Sequence, residues 1–331
     1  MRRSERSTRS TRSECGAGSR AAPPQSRKDV MPSYLLIANP SSGRGQGRRR
    51  AEALRSALPD AGRVEVVETT HRGAATELAA KHAHEVDRLI AVGGDGTLNE
   101  VLCGLMRTGR EAHDLPELGF LPSGTANAAA RAFGLASDPA VVGRSLARAV
   151  SRPVDVGVVS HAGGERAFLL WFGAGYDAVV IRALNETRTG LMGMSGLLGK
   201  APRVVSALAG YGAPRIDAEV EGSSFGIWSS VVVTNVKEIA FGGVLAQDAD
   251  PFDGQFDVVG IPQAGVPGLV RLVARMLTSS LAGAEGVRHR TATRVTLRSE
   301  GEVPFHLDGE PVGILPAVAT LRCGAVRFLK T

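Results

Sequence analysis

Through the first 150 residues, short apolar runs alternate with longer stretches in which apolar positions recur every three to four residues. Residues 34–38, 64–68, 89–92 and 118–121 have the length and apolar character of buried strands. Helical spacing follows each of them. It covers residues 48–58 up to Pro59, the Ala-rich residues 74–85, a stretch to about Arg107 carrying Leu98, Val101, Leu102 and Leu105, and residues 128–133. Strands that each lead into a helix predict a parallel sheet with helices on both faces.

From about Pro153 the spacing changes. Residues 154–159, 167–172, 216–220, 229–235, 256–261, 292–297, 303–307, 317–322 and 326–329 read as strands with few helices between them. That predicts a β-rich second domain, a sandwich. Two segments interrupt it. Residues 184–211 are rich in Gly, Leu and Met, with Arg188, Lys200, Arg203 and Arg215 around them, and residues 266–281 read as an amphipathic helix carrying Arg271 and Arg275. The chain thus divides into an α/β domain, residues 31–152, and a β-rich domain, residues 153–331, behind residues 1–30.

A length of 331 residues accommodates two cores, and 43% hydrophobic with 22% charged residues is the composition of a globular protein. The net charge of +6 is unevenly placed. Residues 1–30 hold eight Arg and Lys against Glu5, Glu14 and Asp29, which leaves only +1 for the rest. The body is therefore not a nucleic-acid binder of the usual basic kind. The Ser/Arg/Pro/Gly-rich first 30 residues lack the apolar stretch of a secretory signal. They read as a disordered extension or as a leader upstream of a start at Met31, with binding to anionic lipid or nucleic acid as a second reading. Cys15, Cys103 and Cys323 have no metal-binding spacing, which fits a reducing cytoplasmic compartment, and no run of about 18 apolar residues predicts a membrane span.

The candidate chemistry lies in the loops after the strands of the first domain. The turn Gly93-Gly94-Asp95-Gly96-Thr97 has three glycines in four positions between a strand and a helix. Bare backbone lets a phosphate approach closely, and the helix start adds free N–H groups. Asp95 repels phosphate but suits Mg²⁺, so the turn predicts a nucleoside-triphosphate site that is not a Walker loop. Asn39, Ser42 and Gly43 after the first strand, Thr69 after the second, and Gly124, Thr125 and Asn127 after the fourth offer amide, hydroxyl and N–H groups at the same sheet edge, where ligands of such folds bind. Plainer readings exist: an Asx-Pro turn at Asn39, an N-cap at Thr125, and a capping box in Thr97-x-x-Glu100. Far downstream, Asp308-Gly309-Glu310 puts two carboxylates two positions apart, on one side of an extended segment. Such neighbours raise each other's pKa and suit a general base, although Asp-Gly is also a hairpin turn signal. His71 and His289 read as ordinary polar residues and Cys103 as core. Leu191, Met192, Met194, Leu197 and Leu198 form an apolar cluster readable as a lipid-facing lid or as a helix packed on the sandwich.

In order along the chain, Asn39-Pro40-x-Ser42-Gly43, Gly93-Gly94-Asp95-Gly96-Thr97-x-x-Glu100, Gly124-Thr125-x-Asn127, Gly173-x-Gly175-x-Asp177, Asp253-Gly254 and Asp308-Gly309-Glu310 resemble the motifs of the diacylglycerol kinase catalytic-domain family. That family includes bacterial diacylglycerol and phosphatidylglycerol kinases and eukaryotic sphingosine and ceramide kinases. The resemblance spans about residues 34–330. It implies an α/β half of the NAD-kinase/phosphofructokinase type, a β-sandwich half, and ATP with Mg²⁺ at the cleft. The implied nucleotide contacts are Asn39, Ser42, Gly43, Thr69, Gly93, Gly94, Gly96, Thr97, Gly124, Thr125 and Asn127. Asp95 and Asp308 are implied at the metal, and Glu310 as the base for the acceptor hydroxyl, supported by Asp308 and Asp95. A membrane lipid as acceptor, peripheral contact with the inner face of the membrane and no nucleic acid also follow, and a homodimer is compatible. In related enzymes the neighbourhood of Asp248, Asp250 and Asp253 holds a structural metal; its spacing here is not an EF-hand and also reads as a solvated turn. Ala128 departs from the pattern, because many bacterial members have Asp there, so diacylglycerol itself does not follow as the acceptor. Two other readings stand: an NAD-kinase-like enzyme, which shares the Gly-Gly-Asp-Gly-Thr string, and a nucleotide-binding regulator without catalysis.

Overall fold

The computed structural model describes residues 31–58, 62–185, 194–212, 215–239, 243–278 and 280–330. Residues 1–30 and their two readings lie outside that set. The first half runs β1 (Tyr34–Ala38), α1 (Ser42–Gly45), α2 (Gly47–Ala57), β2 (Val64–Glu68), α3 (Ala74–His82), β3 (Arg88–Gly93), α4 (Asp95–Arg107), β4 (Glu117–Pro122), α5 (Ala128–Phe133) and α6 (Pro139–Arg148). The second half runs β5 (Ser151–His161), β6 (Gly164–Phe168), β7 (Trp171–Gly175), α7 (Tyr176–Asn185), α8 (Met194–Gly210), β8 (Ile216–Val220), β9 (Ser223–Trp228), β10 (Ser230–Thr234), β11 (Phe256–Ile261), α9 (Val266–Thr278), β12 (Arg288–Ala292), β13 (Arg294–Ser299), β14 (Pro304–Leu307), β15 (Glu310–Ile314) and β16 (Ala317–Leu329).

The first four strands lie parallel in the order β2-β1-β3-β4, so all four carboxyl ends share one edge. The apolar runs of β1, β3 and β4 are nearly continuous because both faces are covered, while the edge strand β2 is half-buried and carries Glu65 and Glu68. From β1, Leu35 and Ile37 join the core beneath α3 and α4, while Tyr34, Leu36 and Ala38 join the core beneath α2 and α6. This sheet does not end at β4. The last residues of β16 lie parallel to β4, with Phe328 opposite Leu118, and the first residues of β16 pair with β13. One strand therefore belongs to both halves, and the sheet continues through β13, β8 and β9, with β5 and β6 alongside. A second, six-stranded antiparallel sheet, β12-β11-β10-β7-β14-β15, closes the sandwich. Phe168 stacks on Phe256 at 5.4 Å and Phe172 meets Phe305 edge-on at 5.4 Å between the two sheets. The expected fold class, a parallel α/β domain with a β-sandwich, is the one observed.

Four predicted strands change identity. Residues 167–172 are two strands, β6 in one sheet and β7 in the other, with the crossing at Leu169 and Leu170. Residues 292–297 also straddle a crossing, from β12 to β13 at Thr293. Residues 167–172 are apolar throughout and residues 292–297 carry no turn residue at the crossing, so pattern alone reads each as one strand. Residues 317–322 and 326–329, predicted separately, are one strand bent by an irregularity between Arg322 and Val326. Helix α6 and strands β9 and β15 were not anticipated. The residues 184–211 segment contains the end of α7 and all of α8, but the side chains of its apolar cluster lie outside the described set.

Gly104, in the middle of α4, lets that helix approach α3 closely. A methyl group there would overlap the carbonyl oxygen of Thr76 and sit 2.7 Å from Ala79 Cβ. Gly104→Ala gains about 1 kcal/mol of helix propensity, but the overlap is with backbone that cannot rotate away. The expected net result in chemical denaturation is a loss of about 1–3 kcal/mol.

Candidate active site

The ladder of the parallel sheet extends one residue into three loops. Asn39 N–H donates to Val92 O at 2.9 Å, Thr69 N–H to Ala38 O at 2.9 Å, and Ser123 N–H to Gly93 O at 2.7 Å. Side chains then tie the loops together. Asn39 Nδ2 reaches Thr97 Oγ1 at 3.4 Å, and Ser42 Oγ lies 2.8 Å from Asn39 O and 2.9 Å from Ser123 Oγ. Gly43 adopts φ 58°, and a Cβ there would stand 3.0 Å from Ser123 O. The backbones of Gly94 and Gly124 touch, for a Cβ on Gly124 would lie 2.5 Å from Gly94 Cα. Asn127 closes its loop by reciprocal bonds with Gly124 at 2.9 and 3.0 Å. Asn39, Ser42, Gly43, Gly93, Gly94, Gly96, Thr97, Gly124 and Asn127 are thus gathered at one edge, with Thr69 at the end of the adjoining strand. Thr125 is exposed at the loop tip and is not the N-cap of α5; that position is Asn127.

Arg50 lies beneath this cluster. Its Nη2 donates to Pro122 O at 3.2 Å and also to Ser137 O, while its buried Nε has no partner. Among the described residues no carboxylate pairs with it. Bare-backbone turns above an unneutralised guanidinium fit a polyphosphate anion.

Asp95 and Glu100 both leave helix α4 to cap a neighbouring helix. Asp95 accepts from Ala128 N–H at 3.0 Å and Ala129 N–H at 2.9 Å, at the start of α5. Burial raises the Asp95 carboxyl above its ordinary value, against the pull of those two N–H groups and of Arg131. Glu100 accepts from Gly73 N–H at 3.0 Å and Ala75 N–H at 3.3 Å, at the start of α3. The Thr97/Glu100 capping box does not form. Helix α4 already begins at Asp95, so Thr97 is inside it, and the unsatisfied donors that Glu100 finds are those of α3. Ala128 is buried and presents its N–H to Asp95.

Asp308 and Gly309 are the central residues of the β14–β15 hairpin, where Leu307 pairs with Glu310. Both have positive φ, 49° and 83°, as in a type I′ turn. The segment is therefore not extended, and the two carboxylates do not share a side. Asp308 is buried and accepts four hydrogen bonds: Leu169 N–H at 2.8 Å, Leu170 N–H at 2.8 Å, Trp171 N–H at 3.0 Å and Asn99 Nδ2 at 3.0 Å. Burial, not Glu310, raises its carboxyl, with the backbone donors opposing. All its acceptor sites are engaged. The expected metal-ligand and catalytic roles of Asp308 draw no support from this arrangement, in which its oxygens hold backbone and amide donors. Glu310 comes out on the side of the glycine turn: a Cβ on Gly96 would lie 3.4 Å from Glu310 Oε1. Its Oε2 accepts from Arg72 Nη2 at 2.8 Å.

Sequence reasoning missed Arg72, Asn99 and His306. His306 is fully buried; its Nδ1 accepts from Gly309 N–H at 3.2 Å, so its Nε2–H donates to Asp177 at 2.7 Å. Gly173 lies opposite His306 in the ladder, and any side chain there would collide with this pair. The Gly173-x-Gly175-x-Asp177 motif thereby supports the hairpin that carries Glu310. The readable signal was His306 two residues before Asp308, on the inward side of the same strand.

The acidic loop shows turn bonds: Asp250 accepts from Phe252 N–H at 3.2 Å and Asp253 from Gln255 N–H at 3.0 Å. Among the described residues no three His, Cys, Asp or Glu side chains converge at metal-holding distance. A cavity of about 420 Å³ opens at the other end of α5, lined by Arg131, Phe133, Arg152, Lys237, Asp250 and Phe252 among others; neither Asp95 nor Glu310 lines it.

An amide in place of the Asp308 carboxylate must turn its NH₂ toward N–H donors in either orientation. Asp308→Asn is expected to cost about 3–5 kcal/mol in equilibrium denaturation. A loss under about 1 kcal/mol would refute the clamp.

Comparison with known proteins agrees with this geometry. The profile of the diacylglycerol kinase catalytic domain matches residues 33–159, and that of the YegS C-terminal NAD kinase beta sandwich-like domain matches residues 171–330. A diacylglycerol kinase of Bacillus subtilis is 28% identical over 291 residues, covering 85% of this chain and 90% of that one. A protein named "Probable lipid kinase YegS-like" of Stenotrophomonas maltophilia is 31% identical over 240 residues, covering 69% and 74%. The crystal structure of a diacylglycerol kinase from Bacillus anthracis has the same fold, with a TM-score of 0.67 at 20% identity over 90% of this chain and 97% of that one. The chain belongs to the diacylglycerol kinase catalytic-domain family, with the YegS-type sandwich as its second half.

Proposed function

We propose that this kinase transfers the γ-phosphoryl group of ATP to a hydroxyl of a membrane lipid, at the inner face of the membrane. The observation that carries the reading is the seating of Glu310 against Gly96, which joins a carboxylate of the sandwich to the phosphate-type turn of the α/β half. The relatives above are named as a diacylglycerol kinase and a probable lipid kinase, which supports the reading. No helix among the described residues is long and apolar enough to cross a membrane, so contact would be peripheral.

The glycine turns at Gly43, Gly94 and Gly124 would receive the phosphates through backbone N–H groups, with Arg50 beneath. Asp95 is the carboxylate that would hold Mg²⁺, directly or through water; that ion supplies charge neutralisation at the phosphates when bound. One carboxylate suffices, since Mg²⁺ keeps several waters. Glu310 accepts the acceptor hydroxyl's proton as the new O–P bond forms and the bridging bond to ADP breaks. Little further covalent chemistry is required; positioning and charge do the rest.

Radiolabelled ATP offered with extracted lipids, and with NAD as control, tests this directly. Label should appear in the organic phase; label on NAD would select the NAD-kinase-like reading, and no transfer from bound ATP would select the regulator. A panel of diacylglycerol, phosphatidylglycerol, a long-chain base and an isoprenoid alcohol then identifies the acceptor.

Asp95→Asn is expected to abolish turnover and Mg²⁺-dependent nucleotide binding. Glu310→Gln should lower kcat by about 10²–10⁴-fold with little change in ATP affinity. Because burial raises the Asp95 carboxyl, the proton competes with the metal at higher pH than at an ordinary aspartate. Mg²⁺-dependent nucleotide affinity should therefore weaken on acidification before an unperturbed aspartate would titrate, and titration calorimetry across pH checks it.

A further inference from the structure

Arg72 lies in the loop after β2, at the carboxyl edge that carries the glycine turns. Its guanidinium donates to Glu310 Oε2 at 2.8 Å through Nη2. The two partners differ in setting: the Arg72 side chain is 72% exposed, that of Glu310 only 17%. An exposed arginine usually contributes little by forming an ion pair. This one is anchored, because Glu100 holds the next residue through Gly73 N–H at 3.0 Å and holds Ala75 N–H at 3.3 Å. Glu100 lies on the same helix as Asp95 and Gly96. A single rigid element therefore fixes the carboxylate for the metal, the floor beneath Glu310 and the root of the Arg72 loop.

A guanidinium carries five N–H donors in a planar fork. One is aimed at Glu310, and the group is largely exposed at the sheet edge where the phosphates would lie. Arginine is suited to hold a carboxylate and a phosphoryl oxygen at once, which a lysine ammonium does poorly.

We propose that Arg72 is a catalytic residue that bridges Glu310 to the transferring γ-phosphoryl group. Through Nη2 it keeps the base in register with Gly96, and through its remaining N–H groups it neutralises charge on the equatorial oxygens. It neither gains nor loses a proton: the acceptor hydroxyl's proton goes to Glu310, and the electron pair of the broken P–O bond leaves with ADP. This rests on the ATP-dependent kinase reading above.

The test compares the full chain as wild type, Arg72→Ala and Arg72→Lys, with Mg²⁺ present. Calorimetry measures the affinity for ADP and for a non-hydrolysable ATP analogue, and steady-state assays separate kcat from KM. In Arg72→Ala, analogue affinity should fall about tenfold while ADP affinity stays within about twofold. Its kcat should fall at least about a hundredfold and be restored in part by added guanidinium. Arg72→Lys should recover part of the analogue affinity and little of kcat. Glu310→Gln should keep the wild-type preference for the analogue over ADP. Equal weakening of both nucleotides, or an unchanged kcat in Arg72→Ala, overturns the proposal. Wild type that binds neither nucleotide overturns the ATP reading itself, and Arg72's role with it.

Discussion

The buried carboxylate of Asp308 is the contact on which the geometry of the site depends. It accepts the N–H groups of Leu169, Leu170 and Trp171, where the chain passes from one sheet of the sandwich to the other, and the amide of Asn99 on α4. Removing an ionised group from water is costly, and four well-placed donors are what make the burial tolerable. A crossing strand must leave one ladder before it joins the next, so its N–H groups need an acceptor there. Asp308 supplies it and at the same time connects the sandwich to a helix of the α/β half. The second crossing, at Thr293, is served in the same way by Glu221, which accepts from Thr293 N–H, from its hydroxyl at 2.9 Å and from Arg294 N–H at 3.0 Å.

Helix α4 is the other fixed reference. Its Asp95 caps α5, its Glu100 caps α3, its Asn99 reaches Asp308, and its Gly96 faces Glu310. Free N–H groups at a helix start carry partial positive charge, so an acid from a neighbouring helix both satisfies them and orients the two helices. Asp95 consequently has two roles in one group. Its bonds to Ala128 and Ala129 set the loop that carries Gly124 and Asn127, and its remaining acceptor capacity faces the edge proposed for nucleotide.

Much of the fold was legible because local pattern and burial agree. Strands β1 and β2 were readable to the residue, β1 as a continuous apolar run covered on both faces and β2, at the sheet edge, as a short Val-rich run carrying Glu65 and Glu68. The glycine turn at Gly93–Gly96 was legible for a similar reason: close backbone contact with Gly124 tolerates no side chain, so composition records it. Legibility failed where one pattern serves two partners. Residues 167–172 are one continuous apolar run like a single buried strand, but the two ends hydrogen-bond to different sheets, and only those partners reveal the break. Thr97-x-x-Glu100 has the spacing of a capping box, yet Glu100 turns to α3, because the identity of the nearest unsatisfied N–H depends on packing.

By itself, then, the sequence determined the alternation of strands and helices, the glycine-lined turns and the presence of two acidic stations about 200 residues apart in the chain. These are local properties, recorded in spacing and residue type. Tertiary structure alone decided which carboxylate of Asp308-Gly309-Glu310 faces the edge of glycine turns. A left-handed hairpin turn sends Asp308 inward to four N–H donors and leaves Glu310 outward, beside Gly96 and Arg72. That choice depends on donors contributed from residues 99, 169, 170 and 171, which no local pattern connects to position 308.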